Sequence, residues 1–136
     1  MFFHNYFPVY FKKIMKNEVI QNLLMAQNQM KIFHWQTDSY AQHQAFGSIY
    51  DQLSDLIDSF VEVCMGKHGR PQFEHGLNLP LLDLMSVDVM EYIESVVQFL
   101  VSLTNVYDPS SDSDLLNIRD EMLSEFNKLK YLLTLS

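Results

Sequence analysis

Apolar residues recur along this chain at spacings of three and four, and nowhere do they alternate over a length that would make a convincing strand. That period is helical, because 3.6 residues per turn bring i, i+3, i+4 and i+7 onto one face. Four long segments carry it. The first runs from about Asn17 to Gln36, with Ile20, Leu23, Leu24, Gln27, Met30 and His34 along one face. The second begins near Ser39, a helix-capping residue type, and carries Phe46, Ile49, Tyr50, Leu53, Leu56, Ile57, Phe60 and Cys64 before Gly66 and Gly69 stop it. The third is expected from Ser86, as cap, to about Val106, with Met90, Ile93, Val97 and Leu100 inward, then Leu103 or Thr104. The fourth follows a turn at Asp108-Pro109-Ser110-Ser111, takes Asp112 or Ser113 as its cap, and buries Leu115, Ile118, Met122, Phe126, Leu129, Leu132 and Leu133.

The connections set the expected topology. Only a short turn at Gln36–Ser39 separates the first two helices, so they should pack antiparallel. Residues 66–85 break the pattern with Gly66, Gly69, Pro71, Gly76 and Pro80, apart from a short helical turn expected at Leu81–Met85. A hairpin return needs only a few residues, whereas a segment of this length easily traverses a bundle of roughly 30 Å. Short, long, short connections predict an all-α, up-down-down-up four-helix bundle of the ferritin type, with a long crossover between helices 2 and 3. The chain of 136 residues reads as one domain, 1–136. Its N-terminal segment, 1–16, carries Phe2, Phe3, Tyr6, Phe7, Tyr10 and Phe11, which are expected to cover a core edge or a subunit contact.

Composition narrows the class. A hydrophobic content of 48% with 13% aromatics is that of a globular chain. The lone Cys64 excludes an internal disulfide framework and fits a reducing compartment. Pro8, Lys12 and Lys13 interrupt the apolar N-terminal stretch, which makes it a poor signal peptide. Apolar runs such as Val96–Leu103 are far short of the ~20 residues that span a membrane, so the expectation is a soluble, cytoplasmic protein with no membrane partner. A net charge of −8 with nine Lys and Arg argues against nucleic acid as a partner, since phosphate-backbone binding needs clustered cations. No Gly-rich phosphate loop and no Ser/His/Asp framework is recognisable.

Four residues carry candidate chemistry: His34, His43, Asp58 and Glu62. Asp58 and Glu62 are one helical step of four apart, so both carboxylates project from one face as an oxygen clamp for a cation. His34 and His43 flank the short turn and should meet at the tips of two antiparallel helices. On one continuous helix His43 lies roughly 22 Å from Asp58, so the four groups share a metal only if two chains supply it. Two imidazoles with two carboxylates suit Fe2+, Mn2+ or Zn2+ better than Ca2+ or Mg2+, which prefer oxygen alone. The flanking Ile57, Val61 and Val63 suggest that Asp58 and Glu62 lie toward the apolar side, where a cation would offset the cost of burying them. An intrasubunit di-iron site would need Glu-x-x-His on two helices, and that pattern is absent. Asp38 is a candidate partner for a histidine N–H, or simply a turn residue. Cys64, His68 and His75 around the crossover match no strong zinc pattern.

The order His34-Trp35, a short gap, His43, then Asp58 and Glu62 resembles the ferroxidase signature of the Dps proteins, the small ferritins of starved bacteria. The last helix, opening at Asp112-Ser113-Asp114-Leu115-Leu116 and closing at Lys130-Tyr131-Leu132-Leu133, is also similar to that family's. The resemblance covers most of the chain from about Asn17, and the crossover matches least. Two departures stand out: the segment between His34 and His43 is shorter than is usual in the family, and there is no Lys-rich tail of the kind many members use on DNA. Compact, acidic relatives of this kind resemble a group in viral genomes, which would make the setting a host cytoplasm. The resemblance implies oxidation of Fe2+ to Fe3+ by peroxide or dioxygen at sites between two-fold-related subunits, with Trp35 packed beside each site, and ferric storage in a twelve-subunit shell. The rival reading is a non-enzymatic helical module, of viral origin, that kept the fold and binds a partner through its aromatic N-terminus.

Overall fold

The structure, a computed structural model, describes residues 6–11 and 16–135. It is all-helical, with helices α1 (Lys16–Gln36), α2 (Tyr40–His68), α3 (Val89–Ser102) and α4 (Ser113–Leu132), and no strand among the described residues. No helix is long and apolar enough to cross a membrane.

Local chemistry sets the ends. Ser39 starts α2 in an extended conformation, its hydroxyl accepting from the Gln42 N–H at 3.3 Å. Of the two glycines expected to stop the helix, Gly66 lies inside it and Gly69 ends it, taking φ +86° and returning its N–H to the Met65 carbonyl at 2.8 Å. An interior glycine costs only about 1 kcal/mol against alanine, less than the turn around buried Cys64 recovers; the positive φ is what ends the helix.

The third helix starts later than expected. Asp88, not Ser86, is its cap, the carboxylate accepting from the Glu91 N–H at 3.1 Å. Ser86 instead closes a 3-10 turn, Leu84–Ser86, by donating its hydroxyl to the Asp83 carbonyl. Met90 therefore falls in the first turn, at the bundle's tip, and is exposed rather than inward. A second 3-10 turn, Leu103–Asn105, follows α3 where a continued helix was expected. Asp112 precedes α4, yet its carboxylate accepts from Asp108 N–H rather than from the helix's own first turn.

Helix α1 packs on α2, α2 on α4, and α3 on α4. Phe33 joins α1 to two neighbours, its ring 5.4 Å from Phe46 of α2 and 5.6 Å from Tyr92 of α3. The N-terminal aromatics cover the edge of this core, as their composition suggested: Phe7 lies 5.5 Å from Tyr92 and 5.6 Å from Phe99, and Tyr10 lies 6.0 Å from Phe99. Phe11 is exposed, and Phe2 and Phe3 lie outside the described residues.

A row of amide side chains on α1 holds the crossover. Asn17 donates to the Gln72 carbonyl and Gln21 to the Asn78 carbonyl, at 2.8 and 2.7 Å. Gln29 grips Leu82 at both main-chain groups, at 2.8 and 2.7 Å, and Gln36 bonds the Asp83 carboxylate and the Leu84 N–H. The segment thus runs beside α1 from its first turn to its last. Gln29 is fully buried, so Gln29→Ala strips two main-chain groups of their partners and should destabilise the fold by about 2–3 kcal/mol in a denaturant titration.

Candidate metal centre

The α1–α2 turn brings His34 and His43 together despite its shortness. Thr37 fixes it, donating to Gln42 Oε1 at 2.8 Å and accepting from the Ser39 N–H at 3.2 Å. The two imidazoles stack with centroids 3.8 Å apart and planes 17° from parallel. Each ring reaches the other residue's main chain: His34 Nδ1 is 2.7 Å from the His43 carbonyl oxygen, and His43 Nδ1 is 2.9 Å from that of His34. A carbonyl only accepts, so both Nδ1 atoms carry the hydrogen. In the neutral rings the lone pair then sits on Nε2, the edge turned away from the carbonyl. This tautomer lock is the arrangement by which proteins orient metal-binding histidines.

Gly47, which sequence reasoning passed over, makes room for the pair. A Cβ at that position would lie 2.9 Å from both Cε1 and Nδ1 of His34. The signal was a glycine inside an otherwise helical pattern. Tyr40 adds a third ring, 6.4 Å from His43. Trp35 is 66% exposed, and Lys31 Nζ stands 5.9 Å from its ring and 4.5 Å from that of Tyr50. Asp38 is exposed and bonds neither histidine, because main-chain carbonyls take both Nδ1–H groups.

Helix α2 is unbroken between His43 and Asp58, so the separation of about 22 Å stands. Asp58 and Glu62 do not lie toward the apolar side, which corrects the expectation drawn from their neighbours. Both are exposed, in one stripe with Asp51 and Asp55, opposite the buried Leu53, Ile57, Phe60 and Cys64. None of these four carboxylates has a cationic partner among the described residues. The stripe needs no cation to offset burial in the single chain. Among the described residues no three His, Cys, Asp or Glu come close enough to hold a metal ion, which applies equally to Cys64, His68 and His75. Within one chain the two histidines stand without a third candidate ligand beside them among the described residues.

Residues 34–133 match a family of unknown function (DUF5856), a stretch that starts at His34 and takes in His43, Asp58 and Glu62. An uncharacterised 14.6 kDa protein from the mobD-ri intergenic region of Enterobacteria phage T4 is 29% identical over 119 residues, covering 88% of this chain and 88% of its own. No solved structure matches the chain.

Proposed function

The chain belongs to this family of unknown function, and we propose that it is a ferritin-like, iron-binding protein whose metal centre is completed between two subunits. The reciprocal Nδ1-to-carbonyl lock of His34 and His43 carries the reading. It leaves the Nε2 of each ring as the donor, with no protein group bonded to it among the described residues. Imidazole nitrogen suits Fe2+, and Asp58 with Glu62 supply the oxygens that nitrogen alone leaves wanting.

The symmetry follows from α2. Two copies of this helix packed antiparallel about a two-fold axis near Asp51 set His43 of one subunit level with the stretch between Asp58 and Glu62 of its neighbour. The exposed carboxylate stripe, without a cationic partner among the described residues, would repel its own copy across this axis unless bound cations offset the charge, which ties the contact to the metal. The crossover's course along α1 and the α1–α2, α2–α4 and α3–α4 contacts support an up-down-down-up, ferritin-like order. Bound Fe2+ is the substrate: two ions give one electron each to a peroxide, which takes two protons and leaves as two waters. Closed assembly, up to a twelve-subunit shell, would store the ferric product, and the phage relative supports a host-cytoplasmic setting.

Anaerobic Fe2+ titration combined with native mass measurement tests the proposal, with Mn2+ and Zn2+ as competitors. The expected result is a dimer or larger assembly that binds iron. A strict monomer that binds none would overturn it. The rival interaction module is expected to bind through the aromatic N-terminus, where Phe7 and Tyr10 are buried and Phe11 is exposed; Trp35, Tyr40 and Met85, the last 96% exposed, are further apolar side chains it could present. In that reading the histidine bonds merely clasp the α1–α2 turn, and assembly without metal uptake would favour it.

A further inference from the structure

We propose that a pocket between the start of α1 and the end of α2 binds a small phosphate-bearing anion. The cavity, about 270 Å³, presents Lys16, Asn17, His68 and Arg70 over an apolar floor of Ile20 and Cys64. A chain of net charge −8 has nine Lys and Arg, and two of them turn into this one concavity.

Their partners are unusual. Lys16 is half-buried, and its ammonium meets no carboxylate among the described residues. It bonds His68 Nε2 at 2.6 Å and stands 5.7 Å from the Tyr107 ring centroid. An ammonium only donates, so His68 accepts at Nε2 and keeps its hydrogen on Nδ1. The nearby acids are already engaged: Asp112 and Asp114 hold Lys67 at 3.5 and 3.0 Å. Arg70 makes no ion pair among the described residues, which leaves its planar fork open to oxygens.

A tetrahedral oxyanion satisfies these donors together. It offers three acceptor oxygens and up to two negative charges to the guanidinium and the ammonium, more charge than a carboxylate brings, while the Asn17 amide keeps its bond to the Gln72 carbonyl. The volume falls just below the roughly 300 Å³ at which ligand pockets usually begin, so the organic remainder is short and a nucleotide is too large. Burial pushes the Cys64 thiol up, which makes it a wall of the pocket rather than a nucleophile and the event a binding one. The pocket lies about 27 Å along α1 from His34, so it stands independently of the metal reading.

Calorimetric titration of the full chain at fixed ionic strength, with inorganic phosphate in one arm and glycerol phosphate in the other, tests this. Saturable binding is expected, with NMR signals of the His68 ring moving while those of His34 and His43 stay. Lys16→Gln and Arg70→Gln should each weaken it by about tenfold. Tighter binding of glycerol phosphate would identify a phosphomonoester as the ligand, and equal binding the free ion. Arg70→Gln changes an exposed side chain, so it keeps the test valid if Lys16→Gln perturbs the fold. Heat that does not saturate, or that both variants leave unchanged, would overturn the proposal.

Discussion

Two inactive variants, His34→Ala with His43→Ala and Asp58→Ala with Glu62→Ala, should regain iron oxidation when they are coexpressed. Each variant alone removes one half of every shared site. In a mixed two-fold pair, one site receives both damaged halves and the other receives both intact halves. With random pairing, half the dimers are mixed and half their sites are whole, so activity should return to roughly one quarter of the parent's. The variants should fold. Asp58 and Glu62 are exposed and have no ion pair among the described residues, and alanine is a better helix former, so that change is worth no more than about 0.5 kcal/mol. Losing the histidine bonds costs about 1 kcal/mol each, a tolerable loss for a core built on six fully buried aromatic rings. Thermal melts check the folding, and oxidation is followed by ferric absorbance. If the variants assemble together and stay inactive while the parent oxidises iron, the ligands do not lie across the subunit contact.

How far this site could be read from sequence differs between its halves. The histidines were legible because a short turn between two helices leaves only one place for residues flanking it, and 3.6-residue periodicity fixed the helices. The carboxylates were misplaced on a different ground. Ile57, Val61 and Val63 adjoin them in sequence, but neighbours on a helix are turned about 100° apart and say little about which way a residue faces. Phase against Leu53, Ile57, Phe60 and Cys64 points Asp58 and Glu62 outward.

The crossover shows a similar limit. Its length suggested a traverse of the bundle, but nothing marked Gln21, Gln29 and Gln36 as the groups that hold it, because glutamine on a helix ordinarily reads as a solvated surface. Gly66 and Ser86 were good stop and cap residue types, and each lost to a neighbour with better geometry: Gly69 with its positive φ, and Asp88 with a carboxylate aimed at the Glu91 N–H. Residue type proposes such positions, and the packed faces on either side choose among them.

Gly47→Ala should cut iron affinity by about 10- to 100-fold while leaving stability nearly unchanged, because it strikes the lock on His34 rather than any ligand. The added methyl would sit 2.9 Å from two atoms of the His34 ring, closer than carbon approaches carbon or nitrogen without bonding. The ring must move, and the 2.7 Å bond from its Nδ1 to the His43 carbonyl goes with it. Two effects on stability oppose each other. Alanine in place of a mid-helix glycine gains about 1 kcal/mol, and the clash with a half-buried ring that can swing outward costs about the same. An unchanged melting temperature alongside weakened Fe2+ binding separates a misplaced ligand from a damaged fold. Displacement should also free the His34 ring tautomer, which nitrogen NMR of the imidazole reads directly as loss of the Nδ1–H form. If Gly47→Ala binds iron as tightly as the parent with its tautomers intact, the stacked pair is a clasp for the α1–α2 turn, and the metal reading loses the observation that carries it.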